Sequence, residues 1–350
     1  MNTNYVTLCF VLTLLLPKSS SAIDSHHTKH IPALYVFGDS FIDCGNNNHL
    51  PGGGNVNFLP YGIDYMGGKP TGRFTNGKTV ADFLALHLGL PFVPPYLALN
   101  NHQRNKIRTG INYGSGGSGV LSDTNNMTSL TLNKQIEFFH RTVKHNLPKL
   151  FNNKQKLEKH LSESLFFVST GVNDYFHNGT FRGNKTFALY LLTEITLRIQ
   201  KMYTLGARNF FVNNIPPAGC FPSKAIHTEP RGNCNEKINK AISFYNRRLP
   251  AVLFELQSQL PDFTFMHSDL YKFIMEMRKN GKIYGIMETP PCCPNTIYGD
   301  LKCHPNTIPC PNRNTHLFFD EHPTQISNQI FARRCFYEET ICKPLGLKLL

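Results

Sequence analysis

Short apolar runs alternate along this chain with longer segments whose apolar residues recur at three- and four-residue spacing. The runs Ala33 to Phe37, Gly110 to Tyr113, Leu165 to Val168, Phe210 to Val212 and Phe263 to Met266 predict buried strands. Between them, Val80 to Leu88, Leu132 to Val143, Phe187 to Leu205 and Ile238 to Leu256 carry a helical stripe, with Pro250 expected to kink the last. Strands alternating with helices predict an α/β fold of three layers, α/β/α, around a central parallel sheet with right-handed crossovers. Chemistry in such sheets collects at the carboxyl ends of the strands. No internal repeat or low-complexity linker interrupts the pattern, so one domain is expected over residues 31–345.

Composition narrows the class. With 350 residues, 41% hydrophobic and 17% charged, the chain has the makeup of a globular protein, not a disordered or fibrous one. Its first apolar run, Val6 to Leu16, is too short to span a membrane and leads into Lys18-Ser-Ser-Ser-Ala22, a small-residue cleavage pattern. A signal peptide over 1–22 is therefore expected, against the alternative of a buried helix. No later stretch approaches the roughly 20 apolar residues of a transmembrane segment, so an exported chain with no membrane anchor is predicted.

Ten cysteines agree with export. Removing Cys9 with the signal leaves an odd set. Cys220, Cys234, Cys292, Cys293, Cys303, Cys310, Cys335 and Cys342 fall late and suffice for four disulfides, while Cys44 stands apart as the candidate free thiol. A zinc reading of Cys292-Cys293 with Cys303-His304 lacks the usual CxxC spacing. Three sequons, at Asn126, Asn178 and Asn184, fit a glycosylated surface. The net charge of +13 suits an anionic partner such as an acidic wall polymer or a membrane surface, or simply a solvated basic face. Nucleic acid is excluded as the expected partner, because the basic residues are scattered and no aromatic-basic motif accompanies them.

Candidate chemistry sits where three strands end. The first runs into Gly38-Asp39-Ser40, which offers a hydroxyl at the strand's carboxyl end, although a serine there also serves as a helix cap. The second and third end in Asn112-Tyr-Gly-Ser-Gly-Gly-Ser-Gly119 and Thr170-Gly-Val-Asn-Asp-Tyr175. Glycine amides and an asparagine side chain are donors suited to a developing oxyanion; glycine and Asx turns are the plainer reading. Near the end of the chain, Asp320-Glu321-His322 pairs an acid with an imidazole able to take a serine proton, or forms a solvated turn.

Taken in order, these blocks resemble the plant GDSL esterase/lipase family, a branch of the SGNH hydrolases. The likeness is carried by Tyr35 to Asn48, Leu59-Pro-Tyr-Gly62, Pro70 to Gly77, the Gly110 to Gly119 loop, Gly171-Val-Asn-Asp-Tyr175, Asn214 to Cys220 and His322-Pro-Thr324. It implies the flavodoxin-like SGNH hydrolase fold and a secreted esterase or lipase of the plant apoplast or cell wall, acting on ester or lipid substrates through an acyl-serine without metal or organic cofactor. Ser40 would be the nucleophile, His322 the base and Asp320 its orienting acid; the Ser40 amide, the Gly117 amide and the Asn173 side chain would form the oxyanion hole, with Gly116 as the alternative to Gly117.

Two positions depart from the family pattern. Phe41 replaces the leucine of the motif. The family's Asp-x-x-His becomes Asp320-x-His322, and residues two apart in a helical turn do not share a face. Either the turn is more extended, or His322 works with Ser40 as a dyad, helped by Glu321 or a backbone carbonyl. A transacylase, or a cell-wall acyl-binding protein with impaired catalysis, are the alternative functions. Gly72-Arg-Phe-Thr-Asn-Gly-Lys-Thr79 also spells a phosphate-binding loop, but no hydrophobic strand precedes it, so the match is read as coincidence.

Overall fold

The computed structural model describes residues 30–177, 180–293, 303–338 and 340–345; the expected signal segment and the Asn178 sequon lie outside the described residues. Five strands form one sheet: β1 (Leu34–Gly38), β2 (Leu165–Ser169), β3 (Asn209–Asn213), β4 (Thr264–Ser268) and β5 (Cys342–Leu345). They lie in that order, the first four parallel and β5 antiparallel to β4. The register stacks Tyr35, Phe166, Phe210 and Phe265 in one row, and Val36, Phe167, Phe211 and Met266 in the next. Successive residues of a strand point to opposite faces, and both rows are buried, so both faces of the sheet are covered. Phe139 packs against Tyr35, Phe37 and Phe166 on one side of this aromatic layer. Each such ring, fully removed from water, contributes roughly 1.5–3 kcal/mol.

Seven helices of eight residues or more accompany the sheet among the described residues: α1 (Val80–His87), α2 (Leu132–Arg141), α3 (Lys154–Glu163), α4 (Lys185–Thr204), α5 (Glu236–Gln259), α6 (Leu270–Asn280) and α7 (Gln325–Tyr337). Side chains of Thr131, Asn153, Asn184, Asn235, Asp269 and Thr324 accept amide hydrogen bonds at the starts of α2 to α7. The mostly parallel sheet with flanking helices is the expected α/β architecture.

Several details differ from the sequence expectation. Gly110 to Tyr113 is no regular strand. It still runs beside the free edge of β1, where Leu34 donates to Thr109, Val36 to Ile111, and Tyr113 back to Val36. The segment runs parallel to β1, and the order of connection reverses there: one crossover goes outward to this edge segment and the next returns to β2. The carboxyl end of β1 is thereby a topological switch point, where α/β sheets leave a crevice. Pro250 lies inside α5, which continues through it to Gln259. The strand β5 was unanticipated because its four residues carry no periodic signal. The helix α3 was missed because it buries only His160 and Leu161.

Four disulfides join Cys220 to Cys234, Cys292 to Cys310, Cys293 to Cys303 and Cys335 to Cys342, and Cys44 is free and buried. The cysteines of the zinc alternative are thus engaged in disulfides. No helix among the described residues is long and apolar enough to cross a membrane.

Candidate active site

At the end of β1 the backbone passes so close to β2 that a Cβ on Gly38 would lie 1.8 Å from the Ser169 carbonyl oxygen, and Gly38 has a φ of 146°. Only glycine fits there. The buried Gln135 side chain grips this residue at both ends: its Oε1 accepts from the Gly38 amide and its Nε2 donates to the Gly38 carbonyl, both at 2.9 Å. The same Nε2 reaches Ser118 Oγ at 3.0 Å, which ties the strand end to the glycine loop. The chain then turns sharply, with the Ile42 and Asp43 amides donating to the Asp39 carbonyl. Ser40 stands at the head of this turn. Its hydroxyl caps no amide among the described residues, and Oγ lies 2.7 Å from His322 Nε2.

His322 arrives from a tight reversal of the chain. The Phe319 amide donates to the His322 carbonyl and the Thr324 amide to the Leu317 carbonyl. This hairpin-like turn, unlike a helical one, folds the Asp320 carboxylate back over the residue two places on. Asp320 Oδ1 accepts from the His322 amide and contacts its Nδ1, both at 2.9 Å. The other oxygen, Oδ2, accepts from the Tyr61 hydroxyl at 2.5 Å. Glu321 takes no part in this chain of contacts, in which Asp320 is the carboxylate that meets the imidazole. The short Asp-x-His spacing thus closes geometrically.

Charge in this cluster is mutually adjusted. Burial alone pushes the Asp320 carboxyl up, but the His322 charge and the bonds from His322 and Tyr61 outweigh it and hold the group below its usual range. Burial alone depresses His322, and the Asp320 charge and hydrogen bond, with Glu321 and Asp39, reverse this and raise it above 6.5. Burial drives the Tyr61 hydroxyl well above its ordinary value, and Asp320 adds to that shift. Behind the serine, burial lifts Asp39 to about 7 despite the Phe41 amide that it accepts.

The two loops close over the same point. The Gly116 amide is consumed by Asp43 Oδ2 at 2.9 Å, whereas the Gly117 amide has no acceptor among the described residues. The direction of the latter is set by its own peptide: Asn47 Nδ2 holds the Gly116 carbonyl at 2.9 Å, and in a trans peptide the N–H points the opposite way. Gly117 has a φ of 84°, in the left-handed region that favours glycine. The Ser40 amide is likewise without an acceptor among the described residues. Asn173 Nδ2 donates one hydrogen to the Ser118 carbonyl at 2.9 Å and keeps a second. Asp43 organises the whole arrangement, accepting also from the amides of Gly45, Asn46 and Asn47. Asp174 ties down the far side of the glycine loop through the Val120 and Leu121 amides and the Thr124 hydroxyl.

The segment that spells a phosphate-binding loop supports the histidine turn. Thr75 Oγ1 donates to the Pro323 carbonyl at 2.9 Å, and Asn76 Oδ1 accepts from the Gln325 amide at 2.8 Å. The Phe74 ring lies 5.2 Å from the His322 ring, and Phe41, the substituted motif position, lies 5.7 Å from it on a T-shaped contact. Residues 72–79 are thus engaged with the chain's own turn. Asn126 and Asn184 are exposed. Sequence reading missed Tyr61, Asn47 and Gln135 as parts of the site. Tyr61 and Asn47 lie inside blocks that carried the family resemblance; Gln135 is a buried polar residue on an otherwise apolar helix stripe, a signal that marks it as bonded but not to what.

Fold and site together define a hydrolase built on an α/β sheet, with its reactive cluster at the switch point. A family model described as GDSL-like Lipase/Acylhydrolase matches residues 34–334. GDSL esterase/lipase 7 of Arabidopsis thaliana is 36% identical over 94% of this chain and 94% of its own length. A second GDSL esterase/lipase of the same plant is 38% identical over 89% of this chain and 87% of its own. A crystal structure of a Bacillus subtilis protein aligns with a TM-score of 0.39 at 14% identity, covering 88% of this chain and 56% of that one. The chain belongs to the GDSL lipase/acylhydrolase family and is a carboxylic ester hydrolase.

Proposed function

We propose that this chain is a secreted esterase or lipase that cleaves acyl esters through a covalent acyl-serine at Ser40. The reading is carried by one observation: Ser40 Oγ, His322 Nε2, His322 Nδ1 and Asp320 Oδ1 form a continuous chain of contacts of 2.7 and 2.9 Å. In the first step Ser40 Oγ attacks the ester carbonyl carbon while His322 Nε2 takes its proton; Asp320 holds the Nδ1–H tautomer and stabilises the imidazolium. The oxyanion so formed is met by the Ser40 and Gly117 amides and the second Asn173 amide hydrogen, which need no reorganisation to receive it. Collapse expels the alcohol, protonated by His322. Water then attacks the acyl-serine with His322 again as base, releasing the carboxylic acid and restoring Ser40.

Phe41 and Phe74 flank His322, and Phe221 lies 6.0 Å from Phe41, so the base sits among aromatic rings, which suits an apolar acyl group. Export into an apoplast or cell wall is supported by the Val6 to Ala22 pattern and by four disulfides. In this reading one catalytic domain spans residues 31–345, glycans attach at the Asn126, Asn178 and Asn184 sequons, and the basic surface is open to an anionic wall polymer. A fluorophosphonate probe tests the mechanism. Labelling is expected for the intact protein and not for Ser40→Ala; a folded protein that hydrolyses esters without labelling, or whose Ser40→Ala variant keeps its activity, would sink it. Adding a competing alcohol to the assay separates hydrolysis from acyl transfer.

A further inference from the structure

A cavity of about 640 Å³ opens away from Ser40, between α5, the start of α6 and the β4–β5 edge of the sheet, and none of Ser40, Asp320 or His322 lines it. Its volume lies in the range of small-molecule sites. The floor is His267, 8% exposed, whose Nε2 is buried with no hydrogen-bond partner. His267 pairs directly with Lys343 across the antiparallel β4–β5 ladder, so the two side chains share a face. Arg247 from α5 and Lys272 from α6 complete an exposed cationic rim with Lys343, and none of the three is ion-paired with a described residue. Asp269 is the one carboxylate in the lining, and its Oδ1 is already engaged by Asn214 Nδ2 and the Lys272 amide as the cap of α6. Pro250, Phe254 and Ile341 give the wall an apolar stretch beside the polar side chains of Ser243, Asn246, Tyr271 and Thr340.

These features select among ligands. A small inorganic anion would answer the rim but leave the apolar wall unused. A neutral lipid would fill the wall but give no counter-charge to the rim, where, among the described residues, Arg247 Nη1 donates only to Ser243 Oγ and Lys272 Nζ only to the Thr340 carbonyl, and no partner to the buried imidazole nitrogen. We propose that this cavity binds a free amphipathic carboxylate, its head between the Arg247, Lys343 and Lys272 side chains and His267 Nε2, its apolar body along Phe254 and Pro250. Burial lowers His267 to about 4, so its ring is neutral near pH 7 and offers a hydrogen bond without adding a fourth charge. A carboxylic acid is also what ester hydrolysis releases; that link to the product, though not the site itself, rests on the function proposed above.

Titration calorimetry of the full chain with decanoate, decanol and inorganic phosphate tests the site. Decanoate is expected to bind, with decanol and phosphate each roughly tenfold weaker or worse, since each supplies only half of the recognition. Arg247→Glu and Lys343→Glu, both exposed positions, should each weaken decanoate roughly tenfold or more while the thermal midpoint stays unchanged. Absence of decanoate binding, decanoate binding indifferent to both variants, or phosphate binding as tightly as decanoate would each overturn the proposal. Should decanoate bind as expected to a protein found to lack esterase activity, the site stands and only its link to a product falls.

Discussion

Replacing Asp320 by asparagine separates two roles that an orienting acid usually combines. The carboxylate oxygen Oδ1 accepts from both the His322 amide and His322 Nδ1, while Oδ2 faces the Tyr61 hydroxyl. An asparagine here can place its carbonyl oxygen where Oδ1 stands, because two donors converge on that point. Its NH2 group then faces the Tyr61 oxygen, which can turn its hydrogen away and accept. The Nδ1–H tautomer survives, and only the negative charge beside the imidazolium is lost. A charge-assisted hydrogen bond is worth about 1.5–3 kcal/mol, so kcat/KM should fall roughly 10- to 150-fold. Where the asparagine instead forces the wrong tautomer, a loss nearer 10⁴-fold is the precedent. Because Asp320 is what lifts His322, the acid limb of the kcat/KM profile should also move to lower pH. Steady-state hydrolysis of a short nitrophenyl ester across a pH series measures both effects. A loss near 10⁴-fold would refute the two-donor argument, and an unshifted limb with undiminished rate would refute any part for Asp320.

Other outcomes follow from the same contacts. Asn173→Ala should lower kcat by roughly 10²–10³ while leaving fluorophosphonate labelling slow but present, as expected for loss of a single oxyanion donor. In the intact protein the acid limb should lie above that of an ordinary imidazole, since His322 must lose its proton to act and the Asp320 carboxylate raises its pKa; activity therefore falls as pH drops through that raised value. Asp43→Ala, which frees the amides of Gly45, Asn46, Asn47 and Gly116, should cost about 2–4 kcal/mol in urea unfolding and most of the activity with it. Cys44, buried with its thiol pushed far up and donating to the Val93 carbonyl, should resist iodoacetamide in the native protein and react only after unfolding.

What the sequence by itself determined is what local pattern can carry. Alternation of apolar runs with helical stripes located four of the five strands and four of the seven longer helices within a few residues, because burial on both faces of a parallel sheet and on one face of a helix leaves a mark in adjacent residues. The order of the Ser40, Asn173 and His322 blocks marked the candidate site, and the late cluster of eight cysteines marked the disulfides without their pairing. The tertiary structure alone decided the rest. Gly117 rather than Gly116 presents the open amide because Asp43 and Asn47, about seventy residues earlier, claim the Gly116 N–H and carbonyl. Asp320 reaches His322 because the turn between them is hairpin-like, its oxygens settled by a tyrosine 259 positions away. The segment spelling a phosphate loop serves as a prop for Pro323 and Gln325. In each case the deciding partner is distant along the chain, and a hydrogen bond between distant residues leaves no periodicity in either.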